Sequence, residues 1–287
     1  MNNFTLRTIT GLSLAFIVII TLILNKWLFA GAFLIITVLG LNEFYSLVSS
    51  KTVKPQKVFG IISGALWFIG YALVSLSPNE ALNFLDTGIG FFLIFLPILF
   101  LFMVPFLELF RRYPNPLLNV AYTWFGLVYI PFSLSLLILL GNKLILEFHG
   151  VPVLLLGYFI IIWFYDTAAY LYGSRFGKHK FMERISPKKT WEGTIAGVII
   201  AILTATGLSF LFREVSRPDW FILMGIVIVF GTAGDLFESL IKRSLSIKDS
   251  GSLLPGHGGI LDRFDAIFLS APFVFLFYII RLYHSLS

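Results

Sequence analysis

The chain contains no cysteine. That excludes a disulfide, a thiolate nucleophile and a cysteine-ligated metal. Charge is scarce as well. Asp, Glu, Lys and Arg make up 13% of the 287 residues, where a soluble domain carries about 25%. No stretch between apolar runs is long enough to bury a core of its own, so a soluble domain is excluded. There is no Ser/His/Asp order, no HExxH and no Walker-type GxxxxGK[ST], which removes the commonest triad, zinc-hydrolase and P-loop readings.

Apolar residues fill the space: 58% of the chain is hydrophobic. Runs of about 20 apolar residues recur from end to end, each long enough to cross a hydrocarbon core of about 30 Å. The expected fold is an all-α polytopic membrane protein, a bundle of nine spans near 8–25, 28–49, 58–77, 88–107, 117–140, 151–173, 191–212, 219–238 and 262–283. The first run follows Arg7 but reads as a span rather than a signal peptide, because eight more spans follow it. Charge tests the count. With alternate loops assigned to opposite sides, Lys26, Lys143, Arg213, Arg217 and Arg281 fall on one side and the remaining sixteen of the 21 Lys and Arg on the other. The positive-inside rule then places the N-terminus in the cytoplasm, and the net charge of +6 reads as topology rather than nucleic-acid binding. Two regions follow: 1–145 with five spans, and 146–287 with four spans and the two longest cytoplasmic loops, 174–190 and 239–261. Pro97, Pro105 and Pro131 are expected to kink spans in the first region.

Ionisable residues inside spans are costly and usually functional. Asp166 lies about seven residues from the cytoplasmic end of span six, roughly 10 Å deep at 1.5 Å per residue. Span eight ends in "GTAGDLFESLIKRS", where Asp235, Glu238, Ser239 and Lys242 stand at i, i+3, i+4 and i+7 and form one polar stripe. Span nine opens with "LDRFD", which sets Asp262 and Asp265 on one face. Acids favour helix N-termini, but two carboxylate stripes at one membrane face repel each other, and a hard cation offsets that repulsion. Mg²⁺ is commonly held by one or two carboxylates plus substrate phosphates. Asp235 and Asp262 are the first choices as its ligands.

The loops supply the opposite charge. "SRFGKHKFMERISPKKTWEG" carries six cations between Arg175 and Lys189, among them Lys188 and Lys189, with Ser186 and Thr190 beside them. "KDSGSLLPGHGG" adds Lys248, Asp249, His257, Gly258 and Gly259 next to Ser239, Lys242, Arg243 and Arg263. Lysine and arginine bind phosphate oxygens, and glycines let backbone N–H groups approach an anion. Topology and anionic headgroups alone would account for a basic loop, but not for carboxylates facing it. The combination reads as a nucleoside triphosphate or polyphosphate site at the cytoplasmic surface, with His257 as phosphate contact or loop ordering rather than base.

Residues 239–265, "SLIKRSLSIKDSGSLLPGHGGILDRFD", closely resemble the signature of the phosphatidate cytidylyltransferase (CDP-diacylglycerol synthase) family. That signature runs S-x-x-K-R, four residues, K-D, then P-G-H-G-G, then D-R-x-D. "DTAAYLYGSRFGKHKF", "ISPKKTWEG" and "GDLFESLIKR" are similar to the same family, and the resemblance covers roughly residues 163–270. It implies transfer of CMP from CTP to phosphatidate with release of pyrophosphate, dependence on Mg²⁺ with K⁺ as a second cation, a helical membrane fold and a homodimer. Asp235 and Asp262 are implied as the metal ligands. Phosphatidate is already an anionic nucleophile, so positioning and charge neutralisation should dominate over base catalysis. Lys188, Lys189 and Lys242 would assist pyrophosphate departure, Ser186 and Thr190 would hold phosphate oxygens, and Asp166 would ligand the metal indirectly or orient a cation. The expected partners are CTP, phosphatidate and membrane lipid, not nucleic acid, and the expected location is the bacterial inner membrane. Two rivals stand beside this reading. A related CTP-dependent enzyme would act on polyprenols or ether lipids. A secondary transporter would show inverted repeats and a midplane site, and neither is visible.

Overall fold

The computed structural model describes residues 3–76, 88–140, 152–247, 250–251 and 258–286. Among them run nine helices: α1 (Asn3–Leu24), α2 (Lys26–Val48), α3 (Lys57–Leu76), α4 (Gly88–Glu108), α5 (Pro116–Leu140), α6 (Val153–Phe176), α7 (Trp191–Leu211), α8 (Arg217–Ser244) and α9 (Leu261–Leu286). Eight are long and apolar enough to cross a membrane, and α1 carries a shorter apolar stretch, Ser13–Leu24. The chain is an all-α multi-pass membrane protein. Its large exposed side chains, such as Phe91, Phe95, Phe102 and Leu203, suit a solvent of lipid rather than water.

The structure alters the expected boundaries in two places. Helix α8 continues past residue 238 to Ser244, which keeps Lys242 and Arg243 on regular helix. The segment expected as an open loop over 174–190 is not open. Helix α6 runs on to Phe176, and a hairpin of β1 (Lys180–Met182) and β2 (Ser186–Thr190) follows. The strands are antiparallel, with Lys180 opposite Thr190 and Met182 opposite Ser186. A turn closed by Ile185 N–H on the Met182 carbonyl (3.1 Å) joins them. Phe181 packs edge-on against Trp191, ring centroids 4.6 Å apart, so an aromatic pair fixes the hairpin to the start of α7.

The helices are interrupted where their sequences demand it. Pro131 lacks an N–H and crowds the preceding turn. Helix α5 absorbs it in one π turn, Val128–Phe132. A second π turn, Val227–Gly231, lies within α8 immediately before the polar stripe; such turns are frequent near functional sites.

The chain divides into two compact units, Met1–Glu147 with Asp249–Phe264, and Phe148–Lys248 with Asp265–Ser287. In the first, Phe33, Leu41, Phe44, Tyr45, Leu127 and Ile130 form the buried interior. The Tyr45 ring fits against Gly60 and Gly126, where any Cβ would lie within 2.7 Å of it. Its hydroxyl donates to the Thr123 carbonyl (2.9 Å). A polar staple ties the 49–56 segment to α4 and α5: Glu108 accepts from Gln56 Nε2 (2.8 Å), Asn119 Nδ2 (2.8 Å) and Arg111 Nη1 (2.7 Å). In the second unit, Tyr158, Phe159, Trp220 and Phe268 are buried, and Tyr158 and Ser270 share a hydrogen bond of 2.6 Å. Gly193, Gly197, Ala201 and Ala205 make a buried small-residue stripe on α7. A Cβ on Gly193 would sit 2.6 Å from the Ala169 carbonyl oxygen of α6 and 2.9 Å from the Gly173 Cα. Such stripes let membrane helices approach backbone to backbone.

Candidate active site

The second unit gathers most of the ionisable residues named from the sequence. Lys189, the penultimate residue of β2, sends its ammonium to Asp235 Oδ2 at 2.7 Å. Burial acts to lower the Lys189 pKa. The Asp235 carboxylate, helped by Asp166 and Asp265, outweighs it and holds the ammonium above the ordinary lysine value. Three acidic side chains, Asp235, Asp166 and Asp265, thus act on one ammonium. One turn along α8, Glu238 and Lys242 pair with each other, both buried. Ser239 Oγ lies 3.5 Å from Asp235 Oδ1, and Arg243 Nε donates weakly to the Ile185 carbonyl (3.4 Å), joining α8 to the hairpin turn.

Two glycines explain why Asp235 stands where it does. A Cβ on Gly234 would strike the Asp265 carbonyl oxygen and lie 3.1 Å from the Ala266 Cα. At Gly231, one turn earlier, the nearest atom would be Ala266 Cβ at 3.7 Å, an ordinary contact. The backbones of α8 and α9 therefore approach more closely at Gly234 than at Gly231, which brings Asp235 beside Asp265. Tyr165 and Thr232 hold α6 to α8 one turn away (2.8 Å).

The remaining residues of the hairpin divide by exposure. Lys188 is exposed and Ser186 half-buried. Thr190 is buried and caps α7, its hydroxyl accepting from Gly193 N–H at 3.3 Å. That role in the fold is the one its contacts show.

In the first unit, Asp262 occupies the first turn of α9. Its Oδ2 accepts from Ser250 N–H (3.1 Å), Ser250 Oγ (2.8 Å) and Gly259 N–H (2.9 Å). Gly258 has φ +82°, a left-handed conformation that favours glycine, and a Cβ there would strike Asp262 Oδ2. Arg263 is exposed on the following position. Lys248, Asp249 and His257 lie outside the described residues.

Sequence reasoning missed Glu43. This carboxylate of α2 is buried and accepts from Ser250 Oγ, from Ile260 N–H (2.8 Å) and from Leu261 N–H (3.2 Å). The signal was available: Glu43 is the one acidic residue within the first three spans, and the cost of an ionisable group in lipid applies to it as it does to Asp166.

The donor chemistry fits a hard divalent ion. Asp235 is partly open, with a side-chain exposure of 36%, and both Asp235 and Asp262 present oxygen. Among the described residues no three of His, Asp and Glu cluster tightly enough to cage a metal alone. Mg²⁺ does not require such a cage, since it keeps waters and shares substrate phosphates.

Known proteins resemble this chain over much of its length. A phosphatidate cytidylyltransferase of Rickettsia bellii is 41% identical over 164 residues, 55% of this chain and 69% of that protein. One from Haemophilus influenzae is 38% identical over 174 residues, 57% of this chain and 58% of its own length. One from Staphylococcus aureus is 45% identical over 117 residues, 40% of this chain and 44% of its own. The model of the cytidylyltransferase family matches residues 5–281. That match takes in the hairpin, the α8 stripe and the opening of α9 together, and the chain belongs to the cytidylyltransferase family.

Proposed function

We propose that this protein transfers CMP from CTP to phosphatidate, giving CDP-diacylglycerol and pyrophosphate for phospholipid synthesis. The observation that carries the reading is the Lys189–Asp235 pair, with Asp166 and Asp265 acting on the same ammonium, at the end of a cationic hairpin, in a chain matched to the family over nearly its whole length.

A phosphatidate oxygen attacks the α-phosphorus of CTP. The new O–P bond forms as the bond to the bridging oxygen breaks, and that oxygen leaves with the electron pair as pyrophosphate. The attacking phosphate is already anionic, so no general base is assigned. The obstacle is the approach of two polyanions, and fixed cations address it. Lys188, exposed on the hairpin, binds phosphate oxygens. Lys189 and Lys242 each rest on a carboxylate, which holds them in place. Arg243, Lys248 and Arg263 add positive charge, and Ser186 and Ser239 offer hydroxyls. Gly258 and Gly259 let the backbone close on Asp262 and Glu43, and Asp249 and His257 are proposed to contact the substrates. Asp235 and Asp262 are the proposed ligands of Mg²⁺, which supplies Lewis-acid polarisation and neutralises phosphate charge; K⁺ is the proposed second cation. The enzyme works at the cytoplasmic face of the bacterial inner membrane, where a lipid headgroup can meet a water-soluble nucleotide, and as a homodimer, which light scattering of the detergent-solubilised protein tests.

The deciding experiment follows labelled CMP from CTP into lipid, using purified protein in detergent–lipid micelles with and without Mg²⁺. Label in CDP-diacylglycerol with pyrophosphate released supports the reading. Turnover of CTP with polyprenol or ether-lipid acceptors only would reassign the acceptor. No turnover by folded protein would refute the enzyme.

A further inference from the structure

Glu43 plays no part in the chemistry above, yet it accepts three hydrogen bonds from the segment that carries Asp262. It reaches that segment on both sides of residues 252–257: Ser250 Oγ before them, and the N–H groups of Ile260 and Leu261 after them. Ser250 is shared. Its hydroxyl lies within hydrogen-bond reach of both Glu43 and Asp262 Oδ2 and has one proton to give. The glycines fit the same frame. A Cβ on Gly259 would strike Glu43 Oε1, and one on Gly251 would lie 3.0 Å from Glu43 Cδ. The glycine-rich sequence is therefore needed where backbone closes on two carboxylates, Gly258 on Asp262 and Gly259 on Glu43.

We infer that Glu43 is a positioning residue for the reaction: through Ser250 and the Ile260–Leu261 amides it fixes the backbone that sets the Asp262 carboxylate. Helix α2 serves as the rigid post, and Glu43 satisfies N–H groups at the opening of α9 that have no partner within their own helix. The inference rests on the proposed cytidylyl transfer, in which Asp262 is a metal ligand. Partners that orient a ligating carboxylate typically matter 10–100-fold in metal affinity or activity.

The test compares Glu43→Gln, Glu43→Asp and Ser250→Ala with wild type in the CMP-transfer assay, recording kcat, the KM for CTP and the Mg²⁺ concentration at half-maximal rate. Glu43→Gln turns an NH₂ group toward donors that need an acceptor. It should lower kcat by about 10–100-fold and raise the Mg²⁺ half-saturation several-fold, with partial rescue in Glu43→Asp. Ser250→Ala, which leaves both carboxylates in place, should shift the same two quantities in the same direction and keeps the inference testable if Glu43→Gln does not fold. Glu108→Gln is the structural control. It removes an equally buried carboxylate whose contacts lie with Gln56, Asn119 and Arg111, and should leave the kcat and Mg²⁺ dependence of the folded enzyme unchanged. Folded Glu43→Gln or Ser250→Ala with wild-type kcat and Mg²⁺ dependence overturns the inference while cytidylyl transfer stands. Wild type that turns over no CTP overturns the function instead.

Discussion

Gly231 and Gly234 face the same partner, α9, one helical turn apart, and adding one methyl group to each should have opposite results. At Gly234 the new Cβ meets the Asp265 carbonyl oxygen and lies 3.1 Å from the Ala266 Cα. Backbone atoms cannot rotate away, so α8 and α9 must separate by a fraction of an ångström to about one. Overpacking of this kind costs about 1–3 kcal/mol, offset by up to about 1 kcal/mol from the better helix propensity of alanine. Asp235 follows directly on Gly234, so the shift falls on the carboxylate that pairs with Lys189. A misplacement near 1 Å can cost about 100-fold in rate. Gly234→Ala should therefore lose about 1–2 kcal/mol of stability and about 10–100-fold in kcat. At Gly231 the nearest atom is 3.7 Å away, so Gly231→Ala should be neutral or slightly stabilising, with kcat unchanged. Thermal melts in detergent with the CMP-transfer assay measure both. Equal behaviour of the two variants, or wild-type kcat in folded Gly234→Ala, would refute the close backbone approach as the device that places Asp235.

Asp235→Asn should abolish turnover in folded protein, since it removes the anion that pairs with Lys189 and a proposed metal ligand; near-normal activity at saturating Mg²⁺ would remove Asp235 from that role. Lys188→Ala should raise the KM for CTP or phosphatidate, and an unchanged kcat/KM would return this exposed lysine to membrane topology alone. Lys189 has a pKa above the ordinary lysine value of 10.5, so the pair's stabilisation is present in full below that value and lost only as pH rises through the folded-state pKa. The stability gap between wild type and Lys189→Met should accordingly stay flat between pH 7 and about 10, and a gap that closes near pH 8 would contradict the raised value. Glu108→Gln should cost about 1–3 kcal/mol by leaving buried donors without an acceptor; a melt equal to wild type would show that the staple carries no stability.

Much of the fold was legible because a bilayer admits few solutions. Apolar run length sets each helix, and the nine expected spans coincide with α1–α9 to within a few residues at most ends. The α8 stripe was legible from spacing alone, since i, i+3, i+4 and i+7 share a face whatever the helix packs against. The hairpin was not, because six cations in one loop mask the short alternation of Phe181 and Met182 and the long-range Phe181–Trp191 contact that holds it. Glu43 was overlooked for a related reason. Its partners lie more than two hundred residues away, and no local pattern around it announces them. The pairing of Lys189 with Asp235 is likewise tertiary: both residues stood out as charged, but the sequence does not say which anion a given cation will choose.

The distance in sequence between Glu43 and its donors also orders events during synthesis. Glu43 is separated from Ser250 by 207 positions and from Leu261 by 218. At about 5–20 residues per second, roughly 10–40 s pass between the making of this carboxylate and the making of the groups that bind it. Over that interval α2 carries an acid into the bilayer, about one and a half turns from its end, with none of its eventual donors yet made. A ribosome that stalls before Ser250 leaves Glu43 without the three donors it holds in the folded chain, at the cost an acid bears in lipid.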